Sequence, residues 1–249
     1  MRTPLVALVA AVMTLILGPT VIVARLLRRP QGPNSIYSRS VRLWARSIVW
    51  AAGVRVVVHG RERLDHAQGT VFVANHVSWF DIFALASVVP GCSFVAKAEL
   101  RRIPLFGFAA ECVGIVFVER ENRKQAFASY EVAAREVQRG RAIVVCPEGT
   151  RGHDYHLRPF KKGPFVLALA SQTPVIPTVV HGTIEVMPKG SFRIRSGQVD
   201  LHFLEPIATT GYDYDHRAEL MTATWNAMAD ALRSNYGVAT SEHAVATAG

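Results

Sequence analysis

The sequence predicts an α/β fold, with one mixed sheet flanked by helices and preceded by membrane-associated helices. Short β-branched runs recur from Val54 onward, and stretches of helical periodicity separate them. Two polar motifs, NHVSWFD at Asn75 to Asp81 and PEGTR at Pro147 to Arg151, each stand directly after such a run. In α/β proteins, loops that open from strand ends onto one edge of the sheet are the usual place for chemistry.

Residues Pro4 to Ala24 carry no charge and are about long enough to cross a bilayer, and Arg25, Arg28 and Arg29 follow them. A signal peptide begins similarly, but the cleavage site is weak and the arginine cluster reads as a stop. By the positive-inside tendency the chain is expected at the cell membrane, with its main domain on the cytoplasmic face. Gly18-Pro19 is expected to weaken the helix, which leaves a full span and a half-inserted hairpin both open. A second helical segment, Asn34 to Ala52, has Tyr37, Val41, Trp44 and Ile48 on one stripe and Arg39, Arg42 and Arg46 on another face. The apolar stripe suits the membrane interface or the domain core equally. Residues 1–52 therefore form the membrane-associated unit.

Residues 53–237 form the main domain. Its strands are expected at Val54 to Val58, Val71 to Ala74, Phe94 to Ala96, Ile115 to Val118, Ala142 to Val145 and Val175 to Val180. Asn122-x-x-Gln125 opens the clearest helix, which runs to about Gln138 before Gly140, and Gly211 to Tyr236 suggests a closing helix with an interruption. Phe192 to Phe203 alternates around Ser196-Gly197, which predicts a hairpin at a sheet edge. The tail, residues 238–249, is small and polar and is expected to be disordered.

His76 is the only histidine of the first motif, and a neutral imidazole takes a proton from a hydroxyl near pH 7 without a large pKa shift. Asp81, five residues on, can fix one ring nitrogen and stabilise the imidazolium that forms. Ser78-x-x-Asp81 also has the spacing of a capping box ahead of the apolar run Ile82 to Val89. The two roles are compatible, because a carboxylate in a first helical turn is stabilised as an anion. No G-x-S-x-G elbow is present, so the hydroxyl would belong to a substrate. In the second motif Gly149 allows a tight turn close to a ligand, and Arg151 offers a planar fork suited to phosphate. Arg158, Lys161, Lys162 and Arg120 could converge with it if their strand ends are neighbours; otherwise they are solvated surface charges.

On these residues the chain resembles the glycerolipid acyltransferase family, which includes the lysophosphatidic acid acyltransferases. NHVSWFD is similar to the family's N-H-x-S-x-x-D, GIVFVER to its G-x-x-F-x-x-R, CPEGTR to its F-P-E-G-T-R, and PVIPTVV to its proline-centred apolar block. VAKAEL, IPLFG and PFKKG also match, so the resemblance covers roughly residues 55 to 207. It implies a single acyltransferase domain that moves a fatty acyl group from a thioester, acyl-CoA or acyl carrier protein as co-substrate, to the sn-2 hydroxyl of lysophosphatidic acid. It further implies His76 as general base with Asp81 as its partner, and acceptor binding by Arg120, Glu148, Gly149, Thr150 and Arg151, with Lys97 as a nearby cation. Backbone donors near Gly149, or Lys97 itself, would stabilise the tetrahedral oxyanion. Other lysophospholipids, a lyso-ornithine lipid or a glycolipid need the same base. A non-catalytic membrane-binding protein would be expected to lack His76 or Asp81, and both are present. Cys146 and Gly152 stand where the family has phenylalanine and serine or asparagine.

The formal net charge of +9 favours an anionic partner, and the absence of a nucleic-acid module or a dense basic run with interleaved aromatics points to lipid instead of nucleic acid. Cys92, Cys112 and Cys146 lie in separate segments without metal-ligand spacing, so neither a metal site nor a disulfide framework is expected. Cys146 ends an apolar run and is expected as a small buried hydrophobe, not a nucleophile. No bound cofactor is expected.

Overall fold

The computed structural model describes residues 2–65, 67–119 and 123–239. Among the described residues seven strands form one sheet: β1 (Val54–His59), β2 (Val71–Ala74), β3 (Cys92–Lys97), β4 (Val116–Val118), β5 (Ala142–Val145), β6 (Val175–His181) and β7 (Gly197–Phe203), in the order β1-β7-β6-β2-β5-β3-β4. All neighbours are parallel except β6 and β7, which makes the sheet mixed. Every residue of β2 and β5 is buried. That is why these strands read as unbroken apolar runs: helices cover both of their faces. Because β2, β5, β3 and β4 are parallel neighbours, the loops that follow them emerge along one edge.

On one face of the sheet α5 (Arg123–Gln138), α6 (Gly163–Ser171) and α8 (Arg217–Tyr236) close a core that joins Val73, Ile143 and Val179 to Val137, Phe165, Leu167 and Trp225. On the other face α2 (Ile36–Ala52) and α3 (Phe80–Val88) cover Phe72, Val144, Leu201 and Phe203. Phe72 and Phe203 meet edge to face, 5.7 Å between centroids. Burying such a ring contributes about 1.5–3 kcal/mol, and truncating it to alanine costs about 3–5 kcal/mol.

Helix α1 (Thr3–Leu26) runs unbroken through Pro19, so the expected break at Gly18-Pro19 does not occur. It packs along α2, where Trp44 Nε1 donates to Thr14 Oγ1 at 3.0 Å, and along α4 (Phe106–Cys112). Gly18 is where α1 meets the side chain of Leu105: a Cβ there would stand 3.3 Å from Leu105 Cγ. These tertiary contacts hold the helix across a proline that would otherwise weaken it. Among the described residues α1 is the one helix long and apolar enough to cross a membrane, and it is mostly exposed. In α2 the stripe resolves toward the core: Tyr37 and Ile48 are fully buried, and Val41 and Trp44 pack against the core. Arg39 and Arg46 are exposed, whereas Arg42 is half-buried.

Two expectations are corrected. Phe192 to Phe203 is not a hairpin, because only Gly197–Phe203 is a strand. Its upstream part is drawn instead to the start of α1, where Arg2 N donates to Ile194 O and Ile194 N donates to Thr3 Oγ1. Helix α8 begins at Arg217 and not near Gly211, because Asp213 Oδ1 accepts from the amides of Asp215 and His216 and holds a turn. Most of the tail expected to be disordered lies outside the described residues.

Candidate active site

Strand β2 delivers the first motif to the sheet edge. The buried Asn75 side chain extends the ladder beyond Ala74, donating from Nδ2 to Val180 O at 2.9 Å and accepting the Val180 amide on Oδ1 at 2.7 Å. This mimic of a backbone pair fixes where the chain leaves the sheet. His76 is then held on both sides by the loop after β5: its amide donates to Glu148 Oε1 at 2.9 Å, and its carbonyl accepts from Gly152 N at 2.8 Å. The two motifs, far apart in sequence, are thus one structural unit.

His76 Nδ1 lies 2.8 Å from Asp81 Oδ2, with side chains 17% and 0% exposed. The same Oδ2 accepts the amides of Val77 at 2.8 Å and Ser78 at 2.9 Å, while Oδ1 accepts Thr183 Oγ1–H at 2.5 Å. A carboxylate offers acceptors only, so His76 Nδ1 faces it as the donor, which sets the imidazole tautomer with its proton on Nδ1. Nε2 is then the basic nitrogen. The expected capping box is displaced by one residue: α3 begins at Phe80 with Trp79 as its N-cap and no side-chain bond there. Yet Ser78 Oγ accepts the Phe80 amide at 3.0 Å and Asp81 accepts the Ser78 amide, so one carboxylate both ties down the start of α3 and orients His76.

In the second motif Glu148 is buried, and desolvation pushes its carboxyl up to about 8 despite backbone hydrogen bonds from His76 and Arg158. It is placed to join loops, not to face solvent. Gly149 has φ +72°, so its conformation favours glycine, while a Cβ there would lie 2.9 Å from Lys161 Cε, the mobile end of a lysine side chain that would have to shift. The Gly149 amide donates to Cys146 O at 3.2 Å within the turn, which leaves other backbone donors nearby, or Lys97, for the expected oxyanion role. Thr150 is exposed. The Arg151 guanidinium lies over the Trp79 ring at 5.1 Å, and its carbonyl accepts from Lys189 Nζ at 2.6 Å and Arg158 Nη1 at 3.2 Å. Arg158 and Lys189 therefore position the Arg151 backbone.

A cavity of about 220 Å³ adjoins this loop, with Val95, Val118, Phe127 and Val166 on its walls and Lys161, Lys162 and Arg217 also lining it. Cys146 lines it too and is half-buried, so it is not the fully buried hydrophobe expected from the sequence. Lys97 ends β3, two strands from β2, and pairs at 4.0 Å with Glu99 in an exposed setting. Arg120 lies outside the described residues.

Sequence reading missed Thr183, Tyr155 and Lys189. Thr183 opens α7 (Thr183–Val186), and the Tyr155 hydroxyl accepts the amides of Gly182 at 2.7 Å and Ile184 at 3.1 Å on either side of it. No local pattern marks these residues, because their partners lie on distant segments.

This arrangement defines a class: α/β proteins that carry a carboxylate-held histidine beside a basic, glycine-turned loop at the edge of a mixed sheet. The model of the acyltransferase family matches residues 55–181, just over half of the chain, and the chain belongs to that family. It is 33% identical over 187 residues to human 1-acyl-sn-glycerol-3-phosphate acyltransferase alpha, covering 74% of this chain and 66% of that protein. It is 32% identical over 170 residues to 1-acyl-sn-glycerol-3-phosphate acyltransferase of Limnanthes douglasii, covering 68% and 60%. The matched part thus spans somewhat less than two thirds of these relatives. The crystal structure of the 1-acyl-sn-glycerophosphate (LPA) acyltransferase PlsC from Thermotoga maritima superposes with a TM-score of 0.80 at 25% identity, covering 96% of this chain and 97% of that one.

Proposed function

We propose that this protein transfers a fatty acyl group from an acyl thioester, acyl-CoA or acyl carrier protein, to the sn-2 hydroxyl of lysophosphatidic acid at the membrane surface, giving phosphatidic acid. The observation that carries this reading is the 2.8 Å contact between His76 Nδ1 and an Asp81 carboxylate whose two oxygens are both already bonded. With Nδ1 so engaged, Nε2 removes the acceptor hydroxyl proton as the oxygen attacks the thioester carbonyl. The tetrahedral intermediate then collapses with breakage of the C–S bond, and the imidazolium returns its proton to the departing thiolate. Asp81 stabilises the imidazolium throughout and need not itself take the proton. The acyl group passes directly from donor to acceptor, without an enzyme-bound ester.

Arg151, and Arg120 by resemblance, are assigned to the acceptor phosphate, because a guanidinium matches a phosphate monoester bidentately. Glu148, Gly149 and Thr150 shape the loop that carries Arg151. Lys97 contributes positive potential at the same sheet edge. The apolar walls of the cavity beside Pro147 suit a fatty chain. The relatives' names point to the same acceptor.

The test is to incubate the purified protein with labelled acyl-CoA or acyl carrier protein and a panel of lysolipids, with and without Arg151→Ala. The proposal expects lysophosphatidic acid to be acylated in preference to phosphate-free acceptors, and Arg151→Ala to erase most of that preference. A buried charged contact removed in this way costs about 2–5 kcal/mol. Equal use of phosphate-free acceptors by the wild type would overturn the assignment of the acceptor.

A further inference from the structure

At the opposite end of the sheet from the parallel block that carries Lys97, three metal-type donors converge. The parallel pairing of β1 and β7 sets His59 directly against His202, and Asp200, two residues before His202, shares its face. The two imidazole rings stack with centroids 4.1 Å apart and planes 7° from parallel. His59 Nε2 lies 2.9 Å from Asp200 Oδ1. One potential donor atom from each of the three residues lies within 4.8 Å of the other two.

From this juxtaposition we propose that His59, Asp200 and His202 bind a divalent transition metal of the zinc type and so clasp the edge strand β1 to β7. Two imidazoles and one carboxylate suit a borderline cation better than magnesium or calcium, which prefer all-oxygen shells. Binding draws the donors together, because first-row metals sit about 2.0–2.2 Å from nitrogen and oxygen and the donor atoms lie within 4.8 Å of one another before the ion enters. The cation takes the place of the hydrogen that now links His59 to Asp200, and water completes its shell.

The surroundings resemble the support that metal-bound histidines require. Tyr236, the last residue of α8, bonds through its hydroxyl to His202 Nε2 at 2.6 Å, which fixes the ring and leaves Nδ1 as the nitrogen for the cation. Behind it the Tyr236 ring stacks on His181 at 3.6 Å, and His181 stacks in turn on Tyr155 at 4.1 Å. Asp200 is also held by the Gln198 side-chain amide at 3.0 Å. His59 is exposed, so an ion can enter from solvent. Sequence spacing could not reveal the site, since the ligands lie 141 residues apart.

The site has a mechanical meaning. Among the described residues β1 is an outermost strand, bonded through β7 alone, and it follows α2 almost directly. A metal clasp between β1 and β7 would strengthen the attachment of the helical N-terminal unit to the sheet.

The experiment uses the full chain in detergent with any affinity tag removed, titrated near neutral pH with Zn²⁺ alone by calorimetry and with Co²⁺ alone by visible absorption. The proposal expects saturable binding of one equivalent that millimolar Mg²⁺ does not displace, and a rise in the unfolding temperature on adding Zn²⁺. His59→Ala, at an exposed position, should keep the fold by circular dichroism yet weaken Zn²⁺ by at least about a hundredfold and abolish the thermal shift, and Tyr236→Phe should weaken it by about tenfold. Absence of saturable binding in the wild type would mean an ordinary hydrogen-bonded cluster and overturn the proposal. So would equal Zn²⁺ affinity in the wild type and His59→Ala, or displacement by Mg²⁺.

Discussion

Thr183 Oγ1 donates to Asp81 Oδ1 across 2.5 Å, joining the segment after β6 to the segment after β2. Both residues are fully buried. The contact occupies the carboxylate oxygen that His76 does not use, and the amides around Tyr155 hold Thr183 in place. Asp81 is therefore fixed in position through both carboxylate oxygens, which is what the orienting member of a histidine–carboxylate pair requires.

Thr183→Val keeps the shape of the side chain and removes the donor. It should lower stability by about 1–3 kcal/mol, because a buried carboxylate oxygen loses its partner. Turnover should fall by about tenfold, equivalent to about 1.4 kcal/mol at the transition state, with KM for the acceptor little changed. Thr183→Ser should restore both. Unfolding curves and steady-state kinetics of the two variants check this, and a folded Thr183→Val with wild-type kcat would remove Thr183 from the positioning network.

Glu148 gives a pH signature. Burial raises its carboxyl from the ordinary 4.5 to about 8. Below 4.5 both folded and unfolded chains keep the proton. Between 4.5 and 8 the unfolded chain releases it and the folded chain retains it, so stability falls as pH rises through this window and levels off above it. Glu148→Gln resembles the protonated acid and should lack this decline. Denaturation of wild type and variant at about pH 5 and about pH 8.5 should show the wild type losing stability relative to Glu148→Gln. A constant difference between them would show that Glu148 does not titrate in that window.

Much of the site was legible because its chemistry is local. His76 and Asp81 sit five residues apart around a helix start, and the turn at Gly149 announces itself through the residue that adopts φ +72° most readily. The strands were legible for the same reason, since burial on both faces writes a continuous apolar run. What escaped was long-range. Thr183 and Asn75 act on groups more than a hundred residues away, and their hydroxyl and amide look ordinary in any window of sequence. The false hairpin shows the converse: Phe192 to Phe203 alternates as a strand pair would, but Ile194 is committed to Arg2 and Thr3, and no turn forms. In α2 the stripe itself could not show whether lipid or protein covers it. Helix α3 decides, by packing against α2.

The N-terminal helix carries the membrane prediction. Leu8, Leu15 and Ile16 of α1 are 61%, 65% and 56% exposed, whereas Val6, Val21 and Ala24 face the protein. Deleting the helix would remove packing as well as lipid contact, so substitution on its outer face is the cleaner experiment. Leu8→Glu with Leu15→Glu should preserve the fold but weaken binding to anionic vesicles by at least about a hundredfold, as each leucine contributes about 1.5–3 kcal/mol when buried. Remaining binding, through exposed Arg39 and Arg46, should fall with salt. Unchanged co-sedimentation of the folded double variant would show that this face does not enter lipid.

The central claim is that His76 removes the acceptor proton. Its most direct test is the rate of acyl transfer from labelled acyl-CoA or acyl carrier protein to lysophosphatidic acid by His76→Ala, compared with wild type at saturating substrates. Circular dichroism and thermal unfolding should establish that the variant is folded. The account predicts a loss of at least about a hundredfold in kcat. A folded His76→Ala protein that turns over at near the wild-type rate would contradict it.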